Sequence, residues 1–249
     1  MSRATLLGVP ASHPTLAAEL MLRAKGIEYR RIDLVAGMHR AALRALGFPG
    51  VTVPALRLDG ARIQGTRRIA LALDSLVAEP PLYPADPERR AAVVAAESWG
   101  DEVLQPVPRR IIWAALKRNR STLASYLEDA HLGIPTSLAA RTATPVVYLA
   151  ARLNRATDDA VRRDLAALPG LIEHVDQLLR DGVIGGRPPN VADYQIATST
   201  SLLLTMADTR PYLEGRLAEH HASEIVTRQP GHLPPALPSA WLPPAPARA

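Results

Sequence analysis

The sequence predicts an α/β domain followed by an all-α domain, and three observations predict it. Over residues 1–79, short apolar runs and amphipathic segments follow one another in the order β-α-β-α-β-β-α. A proline-rich stretch at 80–87 then interrupts the pattern, and we place the domain boundary there. Beyond it, apolar residues recur at helical spacing, which predicts a helical domain over 88–228. A chain of 249 residues can hold two such domains.

The first element is a buried strand at 5–9, which the apolar run TLLGV predicts. A helix over 16–24 follows, with Leu16, Leu20 and Met21 at helical spacing and Gly26 suited to its C-terminal cap. A second strand is predicted at 28–34. Because a helix connects the two strands, we expect them to be parallel.

A short helix at 38–46 precedes the hairpin. Asp59-Gly60 is the strongest short hairpin signal in the chain, and it separates apolar runs at 55–58 and 61–63. Thr66 is then predicted to cap a helix that carries Ile69, Leu73 and Leu76 on one face.

The second part of the chain reads as helices joined by short loops. Pro106 and Pro108 are expected to kink or break the first helix, and Asn190-Val191-Ala192-Asp193 has the pattern of a capping box. The predicted helices cover 87–119, 123–130, 143–155, 157–181, 191–207 and 211–226. Residues 229–249 include seven prolines and are predicted to form an extended or disordered tail.

Composition excludes several function classes. The chain has no cysteine, so disulfides, thiolate nucleophiles and cysteine-based metal sites are excluded. The seven histidines form no ligand pattern, and we expect no metal. The net charge is +5, but the arginine pairs are scattered and no aromatic platform accompanies them, so no nucleic-acid partner is expected. No apolar stretch predicts a signal peptide or a membrane span, so we expect a cytoplasmic protein.

Five stretches, in order, resemble the cytosolic glutathione transferase family over about residues 4–227. They are similar to the family's first strand, active-site loop and first helix, its proline loop, its hairpin and third helix, its linker, and its C-terminal capping motif. The stretches are "LLGVPASHPTLAAELMLRAKGI", "TVPAL", "DGARIQGTRRIALAL", "LYPADPERRA" and "PPNVADYQIA". The resemblance implies a thioredoxin-like N-terminal domain joined to a helical bundle, and a homodimer through the third helix and the long helix after the linker.

The resemblance also assigns roles to residues of the first domain. Ser12 occupies the position of the hydroxyl that stabilises a thiolate, although the same residue also fits the cap of the first helix. Val53-Pro54 resembles the family's cis-proline loop, in which the Val53 backbone would dock an extended peptide-like thiol. Thr66 stands at a helix N-terminus, where the resemblance places the γ-glutamyl carboxylate of glutathione.

At one position the chain departs from this family's pattern. Gly65 stands where the family has the acidic residue that pairs with the γ-glutamyl ammonium, and its neighbour Gln64 is neutral. A lost charge-assisted contact costs about 1.5–3 kcal/mol. The sequence therefore leaves open glutathione, another thiol such as mycothiol, or none.

The second substrate would bind between the two domains, against the predicted helix 87–119. Trp99, Ile112 and Trp113 are candidates for its pocket, although each also fits the core of the bundle. His13 lies beside Ser12, and the pair Arg109-Arg110 would either attract an anionic substrate or cover a solvated face.

These residues predict an enzyme that conjugates or reduces a small apolar electrophile with a thiol, as the family does in detoxification. Two alternatives stay open at this point. The fold could serve as a non-catalytic ligand-binding or interaction protein, or as an assembly module whose proline-rich tail binds a partner.

Overall fold

The computed structural model describes residues 4–133, 135, 139 and 143–244. Its N-terminal part is a four-stranded sheet with the strand order β2-β1-β3-β4. As predicted, β1 pairs parallel with β2, and β3 pairs antiparallel with β4 across the Asp59-Gly60 turn. The elements of this part are β1 (Ala4–Gly8), α1 (His13–Ala24), β2 (Tyr29–Asp33), α2 (His39–Ala45), β3 (Ala55–Leu58), β4 (Ala61–Gln64) and α3 (Thr66–Leu76).

The rest of the chain is helical, so the predicted order of an α/β part and an all-α part is confirmed. Its α-helices are α4 (Pro87–Trp99), α5 (Pro106–Arg118), α6 (Thr144–Leu153), α7 (Asp158–Arg180), α8 (Val191–Leu204) and α9 (Leu217–Ile225). A π-helical turn occupies Gly100–Leu104, and 3₁₀ segments occupy Arg120–Leu127, Arg210–Tyr212 and Ser239–Trp241.

Three predicted helices differ from the observed ones. The helix predicted at 87–119 is broken, as Pro106 and Pro108 led us to expect: a π-helical turn divides it, and α5 begins at Pro106, where the proline costs no hydrogen bond. The helix at 123–130 is 3₁₀ instead, and the helix at 211–226 begins only at Leu217. The expected C-cap at Gly26 and capping box at Asn190 are confirmed in position, and the latter starts α8.

Helix α8 is the centre of the molecule. Nearly all of its side chains are buried, including Ile196, Leu202 and Leu203, so it is a core helix. Its buried Thr198, Ser199 and Thr200 hydroxyls donate to backbone carbonyls of the preceding turn. It packs against α1 on one side and α9 on another. Because α1 carries Ser12 and His13 at its start, the core helix holds the candidate site in place.

The stretch 80–87 is fixed to the N-terminal part by one buried lysine and one aspartate. Lys25 Nζ lies 2.6 Å from Asp74 Oδ1 and donates to the carbonyls of Val77 and Pro80. The Asp74 carboxylate also accepts from the backbone N–H of Leu82 and of Tyr83. The division into domains at this stretch stays a prediction.

The proline-rich tail lies on the helical part of its own chain. Leu233 is fully buried and pairs with Met206 in an isolated parallel bridge, and Leu237 is also buried. The Asp208 carboxylate accepts from the backbone N–H of Ala236 and of Leu237. These leucine side chains are therefore engaged within the chain, which does not favour the tail as a free ligand for a partner.

Trp241 of the tail contacts two arginines of the helical part, and we expect its replacement to destabilise the protein. The Arg118 and Arg162 guanidinium groups lie 4.6 and 4.8 Å from the Trp241 ring centroid. We expect Trp241→Ala to lower the free energy of unfolding by about 1–2 kcal/mol, because two cation–π contacts are lost. Urea titration measures this, with Trp241→Phe as the control that keeps a ring. An unchanged free energy in Trp241→Ala would mean that the tail does not dock there in solution.

Candidate functional site

A cavity of about 320 Å³ lies between the N-terminal sheet and the helical part, which is the size of a small-ligand site. We call it the Ser12 cavity. It is lined by the β1–α1 loop with the start of α1, the loop before Pro54, one face of α5, and α6. Of the predicted site residues, Ser12, His13, Val53, Ile112 and Trp113 line it.

Ser12 is both the cap of α1 and a residue of the cavity wall. Its Oγ accepts from the Thr15 backbone N–H at 3.3 Å and from the Thr15 hydroxyl at 2.9 Å. Both of these bonds occupy lone pairs of Ser12, so its own proton stays free to be donated. The two roles considered from the sequence therefore do not exclude one another.

His13 is buried beside Ser12. Its Nε2 lies 3.2 Å from the carbonyl oxygen of Gln105, at the start of α5. Burial, together with the positive charge of Arg109, lowers the pKa of His13 to about 3. His13 is therefore a neutral imidazole at pH 7, and its Nε2–H donates to that carbonyl.

The loop before Pro54 presents unpaired backbone to the cavity. The Val53-Pro54 peptide bond is cis, as the resemblance implied. Within the described residues, neither the N–H nor the C=O of Val53 has a hydrogen-bond partner. These groups are therefore free for an extended ligand.

Gln64 is among the residues predicted to bind the thiol, and the structure shows its side chain bonded within the protein. The buried Gln64 amide accepts from the Gly50 N–H and donates to the Thr52 carbonyl, both at 2.6 Å. Its side chain faces the 50–52 loop and does not line the cavity. Gln64 therefore positions the loop that leads into Val53.

Thr66 was predicted to cap its own helix, but the cap residue of α3 is Gly65. Gly65 has φ of 89°, a conformation that glycine adopts readily, and no side chain caps the helix. Its N–H donates to the Pro54 carbonyl at 3.0 Å, which places the N-terminus of α3 next to the Val53 loop. Neither Pro54, Gly65 nor Thr66 lines the Ser12 cavity itself.

Trp99 was predicted to line the substrate pocket, and the structure places it elsewhere. Its ring packs against His174 of α7, with ring centroids 4.3 Å apart. Ile112 and Trp113 do line the cavity, on the α5 face that also presents Arg109 and Leu116.

The two adjacent arginines separate into different roles. Arg110 forms a two-bond ion pair with Asp164 of α7, with both N···O distances at 2.6 Å. Arg109 lines the cavity instead, and the sequence alone did not single it out from its neighbour.

The structure adds two findings about other site types. Within the described part of the chain, no three His, Asp or Glu side chains are grouped as metal ligands would be. None of the helices described here combines the length and the apolar character that crossing a membrane requires.

Comparison with known proteins supports the resemblance. Residues 6–81 match the family model described as glutathione S-transferase, N-terminal domain. No protein of curated function matches the sequence.

Solved structures share the fold over nearly the whole chain. A glutathione S-transferase from Rhodospirillum rubrum F11 superposes with a TM-score of 0.63 at 18% identity, covering 92% of this chain and 89% of that one. FzlA from C. crescentus gives 0.62 at 18% identity, covering 91% and 89%. The beta-etherase LigF from Sphingobium sp. strain SYK-6 gives 0.59 at 17% identity, covering 90% and 99%.

At these identities the structural likeness establishes the fold and leaves the activity open. The fold is a thioredoxin-like N-terminal domain with a small mixed sheet, followed by a helical part. Residues 6–81 therefore match the N-terminal domain of the glutathione S-transferase family, and the chain shares its overall fold with solved glutathione S-transferase structures.

Proposed function

We propose that this protein is a transferase that joins a low-molecular-weight thiol to a small apolar electrophile. The observation that carries the proposal is the Ser12 hydroxyl, which lines the cavity with its proton free. In the proposed step, Ser12 donates to the thiolate sulfur and so lowers the pKa of the thiol. The sulfur electron pair forms a bond to the electrophilic carbon, and the leaving group departs with the electron pair of the broken bond.

The rest of the thiol would bind along the Val53 loop and the start of α3. The unpaired N–H and C=O of Val53 suit the backbone of a peptide-like thiol. The free N–H groups at the first turn of α3, beginning at Thr66, suit a carboxylate. Glutathione has both groups, and mycothiol is the other thiol that the proposal admits.

Gly65 is the feature that favours a second candidate function. It offers no carboxylate to the ammonium of a γ-glutamyl group, and no acidic side chain lines the Ser12 cavity. A non-catalytic protein that binds small ligands in this cavity is therefore the alternative. A cytoplasmic location and a homodimer complete the proposal, and the exposed Leu71 and Leu76 of α3 support the homodimer.

The test is calorimetric titration with glutathione and, separately, with mycothiol, followed by the pKa of the bound thiol from its ultraviolet thiolate absorbance. We expect one thiol to bind with a dissociation constant below the millimolar range and Thr66→Ala to weaken it. We expect Ser12→Ala to raise the pKa of the bound thiol by about 1–2 units, since a hydrogen bond to a charged group is lost.

Ser12→Gly is the matched control for the capping role. Glycine removes the hydroxyl but weakens a helix cap by only a few tenths of a kcal/mol, whereas alanine costs about 1 kcal/mol. Both variants should therefore raise the thiol pKa equally while only Ser12→Ala loses stability. If neither thiol binds, the enzyme proposal fails and the ligand-binding alternative takes its place.

A further inference from the structure

Arg109 is a cation without a partner in the wall of an apolar cavity. Within the residues that the structure describes, its guanidinium makes no hydrogen bond or ion pair, and its Nε is buried and unsatisfied. Burial lowers the pKa of Arg109, and Asp101 attracts it electrostatically without forming an ion pair with it. A buried donor without a partner is rare, because burying an N–H group that makes no hydrogen bond is unfavourable.

The neighbours of Arg109 make its position more unusual. Arg110, one residue on, is neutralised by Asp164. Helix α5 presents Arg109 on the same face as Ile112, Trp113 and Leu116, all of which line the cavity. The charge therefore lies at one side of an apolar wall, close enough to His13 to act on it electrostatically.

The lining as a whole complements an anion with an apolar body. It contains no acidic side chain, and most of it is aliphatic or aromatic. The second arginine of the lining, Arg40, is exposed, so solvent screens its charge. Arg109 is the cation that a ligand would meet in a low-dielectric setting, where a charge-assisted hydrogen bond is strongest.

We propose that the second substrate of this protein is an apolar electrophile that also carries a carboxylic acid, whose carboxylate pairs with the Arg109 guanidinium while its chain or ring lies against Ile112 and Trp113. The planar guanidinium matches a carboxylate in a two-bond arrangement. That the bound acid is a substrate, rather than only a ligand, rests on the proposed function. The anion subsite itself exists whether or not a thiol binds.

The experiment titrates octanoate and its neutral analogue octanamide into the full chain without any thiol, by calorimetry. We expect the wild type to bind octanoate about ten- to a hundredfold more tightly than octanamide, the range that a charge-assisted hydrogen bond gives. In Arg109→Gln the two ligands should bind equally, and Arg109→Lys should keep part of the preference. Arg40→Gln is the matched control, since it also removes one positive charge from the lining and should retain the preference.

Folding of the variants provides an independent readout. Arg109→Gln should unfold thermally at a temperature no lower than the wild type, because the substitution removes an unpaired buried cation. A merely structural arginine would instead lower that temperature when replaced. Octanoate should raise the unfolding temperature of the wild type and of Arg40→Gln by more than that of Arg109→Gln.

Three results would overturn the inference. One is equal binding of octanoate and octanamide to the wild type, and another is a preference that survives in Arg109→Gln. The third is a loss of glutathione affinity in Arg109→Gln as large as the loss for octanoate, since that assigns Arg109 to the thiol. Failure of both thiols to bind, with the octanoate preference intact, would refute the proposed transferase and leave the anion subsite standing.

Discussion

Replacing Asp193 with alanine is expected to lower the free energy of unfolding by about 4 kcal/mol. Its carboxylate is fully buried and accepts from the backbone N–H of Gly185 and of Asn190, at 2.6 and 2.7 Å. It also lies 2.8 Å from Nε2 of the buried His221 on α9. Alanine would leave the buried His221 Nε2–H without an acceptor, at a cost of about 1–3 kcal/mol. It would also remove the acceptor of two partly buried backbone N–H groups, at about 1 kcal/mol each.

Asp193 matters to the candidate site because it fixes the start of α8. The Asn190–Asp193 capping box begins this helix, and α8 packs against α1, which carries Ser12 and His13. We therefore expect Asp193→Ala to weaken ligand binding in the Ser12 cavity as well as stability.

Denaturant unfolding of three variants would measure the effect. Asp193→Asn keeps one oxygen acceptor and should fall between the wild type and alanine. Asp181→Ala removes an exposed aspartate and should change the free energy by less than about 0.5 kcal/mol. A loss below about 1 kcal/mol in Asp193→Ala would contradict the buried network.

The same capping box shows what the sequence can predict. Asn190 and Asp193 stand three residues apart before an apolar helix, and both reciprocal hydrogen bonds are present in the structure. The Asp59-Gly60 hairpin was equally predictable, since the turn residues adopt positive φ. Both features are formed by residues close together in sequence, so the residue types at these positions are enough to predict them.

The place of Trp99 shows what the sequence cannot predict. On an unbroken α-helix, Trp99 and Trp113 lie close to four turns apart and face the same way. The π-helical turn at Gly100–Leu104 has wider hydrogen-bonded turns, and it rotates the second tryptophan away from the first. Pro106 and Pro108 predict a break in this helix, but they do not predict a π-helical turn or the rotation that it brings, so the sequence places both rings at one pocket.

Arg109 and Arg110 illustrate a second limit. Adjacent residues on a helix point about 100° apart, so the two arginines point in different directions. Which of them faces the cavity depends on Asp164, which is 54 residues away along the chain and becomes a neighbour only when α7 packs on α5. Ser12 differs from them, because its cap and its wall position follow from the local order of strand, loop and helix.

Acid is expected to destabilise the protein through His13 before most carboxylates titrate. The folded chain holds the pKa of His13 at about 3, whereas an exposed histidine has a pKa of 6.5, so below pH 6.5 the unfolded state binds a proton that the folded state does not. Stability is therefore complete above pH 6.5 and falls as the pH drops towards 3. The slope for one proton is about 1.4 kcal/mol per pH unit, which amounts to about 2 kcal/mol at pH 5.

His13→Gln isolates this contribution, because a glutamine amide can still donate to the Gln105 carbonyl but does not titrate. His39 has its pKa lowered by burial and by Arg40, and it adds to the acid sensitivity of both proteins alike. The difference between wild type and variant, from urea unfolding at several pH values between about 7 and 4, should therefore follow the slope of one proton. If the free energy of unfolding fell equally with pH in the wild type and in His13→Gln, the prediction would be contradicted. That result would mean that His13 is protonated in the folded protein at the same pH as in the unfolded one. Arg109→Gln should leave this slope nearly unchanged between about pH 6 and 5, because burial rather than the arginine is the larger cause of the lowered pKa.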